Sequence, residues 1–186
     1  MLSPRLVLVR HGQSTYNARA LLQGQADPPL SDLGREEAER LRPFIAPFAP
    51  ERVITSDLIR ASETAAILGY PEARRDARWR EIDVAGWAGR PLSEFPSETL
   101  AAWRGGEISA PGGESWPDLV ARVGGALEEL EGEWLIVCHG GAVRAALTYV
   151  TGVDPQRVAG PANASVTVLA GGRVERYAWT PSLSDR

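Results

Sequence analysis

The 186-residue chain contains no lysine: all 20 of its basic residues are arginine. Without lysine there is no P-loop lysine to hold a nucleotide phosphate and no Schiff base for pyridoxal chemistry. Arginine is left, and its planar fork suits bidentate recognition of phosphate. Cysteine is nearly as scarce. Cys138 stands alone, which rules out an internal disulfide and fits a reducing cytoplasm. It lies inside an apolar run and reads as a packed core thiol rather than a nucleophile. Long apolar runs are missing too. The stretch from Leu6 to Val9 is too short for the core of a signal peptide and far too short to span a bilayer, so no membrane partner is expected. A net charge of −4 and the lack of a basic run argue against nucleic acid as a partner. A hydrophobic fraction of 44% with 24% charged residues is that of a globular chain, and the length suits one domain over residues 1–186.

Leu6-Val7-Leu8-Val9 reads as a buried strand ending at Arg10-His11-Gly12. A loop from Gly12 to Leu30 follows, and Ser31 caps a helix carrying Ala38 and Leu41. Val53-Ile54-Thr55 is a short strand, after which Ser56 or Asp57 opens a helix with Leu58, Ala61, Ala65 and Leu68 on one face. Arg78 to Arg90 looks irregular, and Pro91 suits the start of a helix reaching Trp103. Ser115 caps a helix running to Leu130, with Asp118 at the third position. Trp134 to Cys138 is a buried strand, Ala142 to Val150 a helix, and Ser165 to Trp179 a hairpin turning at Gly171-Gly172. Apolar strands alternating with helices predict an α/β fold, a three-layer sandwich whose mostly parallel central sheet has helices on both faces.

There are two histidines, and both follow a buried strand and precede glycine. In an open α/β sheet the carboxyl ends of the strands form the ligand crevice, so His11 and His139 converge there. Arg10 adjoins the first, and Arg60 lies in the opening turn of the helix after the second strand. Gly140-Gly141 begins a helix beside His139, where free N–H groups and the helix dipole favour an anion. Two histidines, two arginines and a helix N-terminus make a place for phosphate. A pair of histidines with a carboxylate suits a divalent metal as well. The fixed cation of Arg10 beside His11 opposes a second cation there, so neither a metal nor another cofactor is expected.

These residues stand in a longer pattern. Leu8-Val9-Arg10-His11-Gly12-Gln13-Ser14-Thr15-Tyr16-Asn17 resembles the signature of the histidine phosphatase superfamily, which includes the cofactor-dependent phosphoglycerate mutases. The likeness continues through Gln23-Gly24, Asp27, Pro29-Leu30-Ser31 and Gly34, then Thr55-Ser56-Asp57-Leu58 with Arg60-Ala61 and Thr64-Ala65. It runs on through Arg80-Glu81-Ile82 with Gly86-Trp87 and Gly89, Pro111 to Ser115, and Cys138-His139-Gly140-Gly141. The resemblance implies that His11 attacks phosphorus and becomes phosphohistidine. It implies that Arg10, Arg60 and His139 hold the phosphoryl oxygens, with Asn17 and the Gly140 backbone adding hydrogen bonds. Glu81 matches the proton donor to the leaving oxygen, and Gln23 and Gly24 match the loop that closes on substrate. A placed acid of this kind contributes about 10²–10⁴-fold. The bland alternative for Glu81 is a surface carboxylate paired with Arg78 or Arg80, with Asp83 the nearest substitute.

The expected activity is hydrolysis of a small phosphate monoester. A phosphoglycerate mutase uses the same phosphohistidine, but the mutases resemble longer chains with a larger insertion after the Glu81 segment. A phosphohistidine phosphoprotein phosphatase is a further alternative. A binding module derived from a dead enzyme does not fit a chain that retains His11, Arg10, Arg60, Glu81 and His139. Trp79, Trp87, Trp103 and Trp116 cluster where the resemblance puts the substrate-facing insertion, and packing is the competing reading for them. The cluster Arg74, Arg75, Arg78 and Arg80 reads as solvated surface. The final hairpin offers an edge on which two subunits can pair as a homodimer.

Overall fold

The computed structural model describes residues 5–48 and 51–181. Six strands form one sheet: β1 (Arg5–Arg10), β2 (Val53–Thr55), β3 (Arg74–Arg75), β4 (Glu133–Cys138), β5 (Val166–Ala170) and β6 (Arg173–Trp179). Their spatial order is β3-β2-β4-β1-β5-β6. The first four in that order run parallel, and β5 and β6 are added antiparallel. The helices are α1 (Thr15–Ala18), α2 (Asp32–Ile45), α3 (Ile59–Ile67), α4 (Ser97–Gly105), α5 (Trp116–Leu127) and α6 (Gly140–Thr151).

Alternate residues of β1 feed opposite cores, as the period of two in a strand requires. Leu6 and Leu8 pack with Leu119, Val123, Val143 and Leu147 of α5 and α6, while Val7 and Val9 pack with Leu41, Ile45, Ala61 and Ala65 of α2 and α3. Each fully buried aliphatic side chain contributes about 1.5–3 kcal/mol of transfer free energy. The sheet is therefore covered on both faces, the three-layer α/β arrangement that its unalternating apolar strands predict.

The capping predictions at Ser31 and Ser115 hold: each hydroxyl accepts the N–H three residues on, from Gly34 and Asp118. Three local readings change. The loop after Gly12 contains the short helix α1, with a Ser14–Asn17 capping box at its start. The helix after β2 begins at Ile59 rather than at Ser56 or Asp57, because both of those side chains are engaged elsewhere. Pro91 opens only a 3-10 turn (Leu92–Glu94), and α4 starts after Pro96. Helix α6 begins at Gly140, directly after His139. The hairpin turns at Gly171 and Gly172 with φ of 57° and 73°, the left-handed pair of a type I′ turn. No helix among the described residues is long and apolar enough to cross a membrane.

Candidate active site

The adjacency of the two histidines follows from strand register. Arg10 of β1 is level with Cys138 of β4, so the next residue of each strand leaves the sheet at the same height. The His11 N–H donates to the Cys138 carbonyl at 2.9 Å, and the imidazole rings lie 5.1 Å apart in an edge-on arrangement. Both rings are buried.

Backbone close approach fixes the turn that carries His11. A Cβ on Gly12 would overlap the carbonyl oxygen of Gly34, and one on Gly34 would overlap that of Gln13. The exit of β1 therefore rests directly on the first turn of α2. His11 Nδ1 lies 2.6 Å from the Gly12 carbonyl oxygen, an acceptor only, so Nδ1 carries the proton. Nε2 then keeps its lone pair and accepts from Arg60 Nε at 3.2 Å. Burial, and after it the charges of Arg60 and Arg10, hold His11 well below the usual histidine range. The ring is thus neutral near pH 7, and His11 lines the cavity.

Arg60 is fully buried on α3. Its remaining nitrogens donate to the carbonyls of Ala26 and Gly24, each at 2.8 Å. Desolvation lowers it to about 10, which still leaves it charged at neutral pH. The guanidinium thereby ties His11 to the loop containing Gln23 and Gly24. Gly24 has φ of 52° and lies where a Cβ would overlap Val84, so only glycine lets this loop close on the Ile82–Val84 segment. Arg10 donates to the Pro161 carbonyl at 2.5 Å, and its Nε has no partner among the described residues. Asn17 Oδ1 faces the Ser14 N–H and Asn163 Nδ2 at 3.1 and 3.2 Å, which leaves the Asn17 amide N–H groups for the cavity.

Glu81 reaches the mouth of α6. Its carboxylate accepts from the Gly141 N–H at 3.1 Å and from the Ile82 N–H at 2.9 Å. A Cβ on Gly141 would overlap Glu81 Oε1, so the second glycine after His139 is the space the carboxylate occupies. The surface pairing weighed for Glu81 does not occur: Arg80 pairs with Asp57 at 2.6 Å, and Arg78 with Asp76 and Glu129.

Eight of the nine sequence-predicted residues line one cavity of about 810 Å³: Arg10, His11, Asn17, Gln23, Gly24, Arg60, Glu81 and Gly140. The ninth, His139, sits behind them. Its Nε2 is 2.8 Å from Ser56 Oγ, and Nδ1 is buried without a partner among the described residues. Burial, then Arg60, His11 and Arg10, hold this ring neutral as well. Burial pushes the Cys138 thiol up, which keeps it inert. Among the described residues no three His, Cys, Asp or Glu side chains converge as a metal site would need.

The cavity continues past the histidines between α4, α6 and the 155–160 segment, where Trp103, Trp116, Arg104, Arg144 and Glu107 line it. Trp79, by contrast, is wholly core, and Trp87 packs against Phe95 and Trp103. The Arg144 guanidinium stacks on the Trp116 ring at 4.9 Å. Sequence reasoning missed Asn163, whose Nδ2 donates to the His11 carbonyl at 3.1 Å and to Asn17. Its only signal was a Pro161-Ala162-Asn163 loop before β5, and loops commonly carry function.

The description "histidine phosphatase superfamily (branch 1)" belongs to the family profile that matches residues 6–180. The chain is 36% identical to the glucosyl-3-phosphoglycerate phosphatase of Mycobacterium tuberculosis over 92% of this chain and 87% of that protein. It is 32% identical to a probable phosphoglycerate mutase of Yersinia enterocolitica, over 81% of this chain and 76% of that one. A solved mycobacterial glucosyl-3-phosphoglycerate phosphatase in complex with VO3 superposes with a TM-score of 0.87 at 31% identity, covering 94% and 98% of the two chains.

Proposed function

This chain belongs to the histidine phosphatase superfamily and is a phosphatase of small-molecule phosphate monoesters, and we propose that it works through a phosphohistidine on His11. The observation that carries this reading is the His11 tautomer: Nδ1 is committed to the Gly12 carbonyl, so Nε2 is unprotonated on a ring that lines the cavity, where it accepts from Arg60 Nε until substrate displaces that bond. Nε2 attacks phosphorus, the bond from phosphorus to the leaving oxygen breaks, and protonated Glu81 delivers its proton to that oxygen. The Nδ1–H to Gly12 hydrogen bond supports the positive charge that forms on the ring. Glu81, now a carboxylate, takes a proton from water, which attacks phosphorus and breaks the bond to Nε2. Free phosphate leaves and His11 is restored.

Arg10, Arg60 and the Asn17 amide hold the phosphoryl oxygens, with the Gly140 N–H at the start of α6. His139 supplies a hydrogen bond from Nδ1 with Ser56 fixing its ring. Fixed donors of this kind act where charge develops and need no reorganisation. Gln23 and Gly24 form the wall that closes over the ester.

The substrate proposed is a phosphate ester with a large, polar, acidic leaving group, of which glucosyl-3-phosphoglycerate, named for the mycobacterial relatives, is the first candidate. A cavity of about 810 Å³ is much larger than a phosphate or phosphoglycerate needs. Its outer part combines aromatic faces with arginines and a carboxylate, groups that suit hydroxyls and a carboxyl. We also propose a cytoplasmic setting, on the strength of the single buried thiol, and a homodimer paired along the open edge of β6, which light scattering tests directly.

The testing experiment is phosphate release from a panel of monoesters in excess chelator, comparing wild type with His11→Ala. Release that resists chelator and vanishes in the variant is expected, with the sugar-bearing phosphoglycerate preferred. Isomerisation of 3-phosphoglycerate without net release would favour the mutase reading, and release only from phosphohistidine-bearing protein the phosphoprotein reading. Loss of activity on chelation would overturn the metal-free route.

A further inference from the structure

We infer that Arg122, locked by Glu114, is the positioning residue that holds Glu81 at the leaving oxygen; this rests on the reading of Glu81 as proton donor. The segment Arg80–Val84 belongs to no helix or strand, so its backbone groups have no ladder to join and need partners from elsewhere. Arg122, on α5, supplies them. Nη1 donates to the carbonyls of Arg78 and Arg80 at 2.8 and 3.1 Å, and Nη2 to that of Glu81 at 3.3 Å. Nε and Nη2 grip the Glu114 carboxylate at 2.8 and 2.7 Å. All five N–H groups of the guanidinium are thereby used.

Glu114 completes the clamp from the other side. Its N–H donates to the Asp83 carbonyl at 2.9 Å, and its Oε2 accepts from the Asp83 N–H at 3.3 Å. Neighbouring Gly113 has no room for a Cβ, which would press on that same Asp83 carbonyl. The backbone is therefore gripped at residues 78, 80, 81 and 83, on both sides of the one side chain that reaches Gly141. Neither Arg122 nor Glu114 lines the cavity, so neither touches substrate. The pair is largely buried, with side-chain exposures of 21% and 14%, and bidentate, so water does little to loosen it. Lysine, with three donors on one nitrogen, cannot reproduce the fork.

The test uses the intact protein and two esters. An alkyl phosphate needs a proton on its leaving oxygen, whereas dinitrophenyl phosphate does not, and the first-turnover release of each alcohol isolates the phosphorylation step. Glu81→Gln is the reference and should slow the alkyl ester by about 10²–10⁴-fold while sparing the dinitrophenyl burst. Arg122→Met should show the same selectivity, with about a 10²-fold loss on the alkyl ester and an unchanged KM. Glu114→Gln keeps the shape of the pair, should show a smaller loss of the same kind, and decides the matter if the methionine variant does not fold. Equal losses on both esters, or none on either, would overturn the positioning role. Lack of selectivity in Glu81→Gln itself would instead bring down the proton-donor reading, and the inference with it.

Discussion

His11 and Glu81 line the same cavity but are held there by different means. The nucleophile stands at the end of β1, beside β4, where ladder hydrogen bonds, strand register and glycine-to-backbone contact leave it no alternative position. The acid stands on an irregular segment whose carbonyls accept from side chains of α5 and Gln25, and whose Asp83 backbone pairs with Glu114. One half of the site is thus a consequence of the sheet, and the other of a few side chains that can be changed singly. Damage to the first half should cost all substrates alike or unfold the protein. Damage to the second should leave the fold intact and show only where the leaving group needs a proton.

The largest effect belongs to the nucleophile half. Arg60→Met removes a buried cation that touches His11 and two loop carbonyls. It should lower kcat/KM by about 10³–10⁵-fold, equally for alkyl and dinitrophenyl esters in steady-state assays. A loss confined to alkyl esters would erase the distinction drawn between the halves. Next comes Gly141→Ala, whose methyl group displaces the Glu81 carboxylate. A loss of about 10²-fold on alkyl esters, with a near-native melting temperature, is expected. The same substitution at Gly12 meets backbone rather than a side chain. It should destabilise the fold by about 1–3 kcal/mol in denaturant titrations.

A pH dependence of stability, with little effect on activity near neutral pH, comes last. Burial holds both His11 and His139 below their unfolded value. The unfolded chain therefore binds these protons first. Stability is full above about pH 6.5 and is lost as pH falls below it, at about 1.4 kcal/mol per pH unit for each histidine. Denaturant melts between pH 7.5 and 5.5 should show this slope, and His139→Gln should halve it. A flat profile would mean that the rings are protonated in the folded protein.

Most of the nucleophile half was legible in the chain. Apolar strands ending in His-Gly announce the carboxyl end of a sheet, and parallel order brings such ends together. Ser31 and Ser115 announced their helices because a cap is a local device, one hydroxyl and an N–H three residues on. Helix α4 starts six residues after Pro91, at Ser97, because two prolines, Pro91 and Pro96, both suit a helix start, and tertiary packing chose the second. The clamp on Glu81 was not legible. Arg122 lies on a helix face whose pattern says only that it is polar, and its acceptors are carbonyls some 40 residues away, which no periodicity reports. Asn163 escaped for the same reason, since its partners are the His11 carbonyl and Asn17.

A covalent phosphoryl group at His11 Nε2 is the step on which the proposed reaction depends. Enzyme mixed with excess ester, quenched in alkali within the first turnovers and digested, should yield a phosphorylated peptide containing His11. The modification should survive base, be lost in acid and be absent from His11→Ala. Rapid phosphate release with no phosphopeptide, or a phosphoryl group on any other residue, would contradict it.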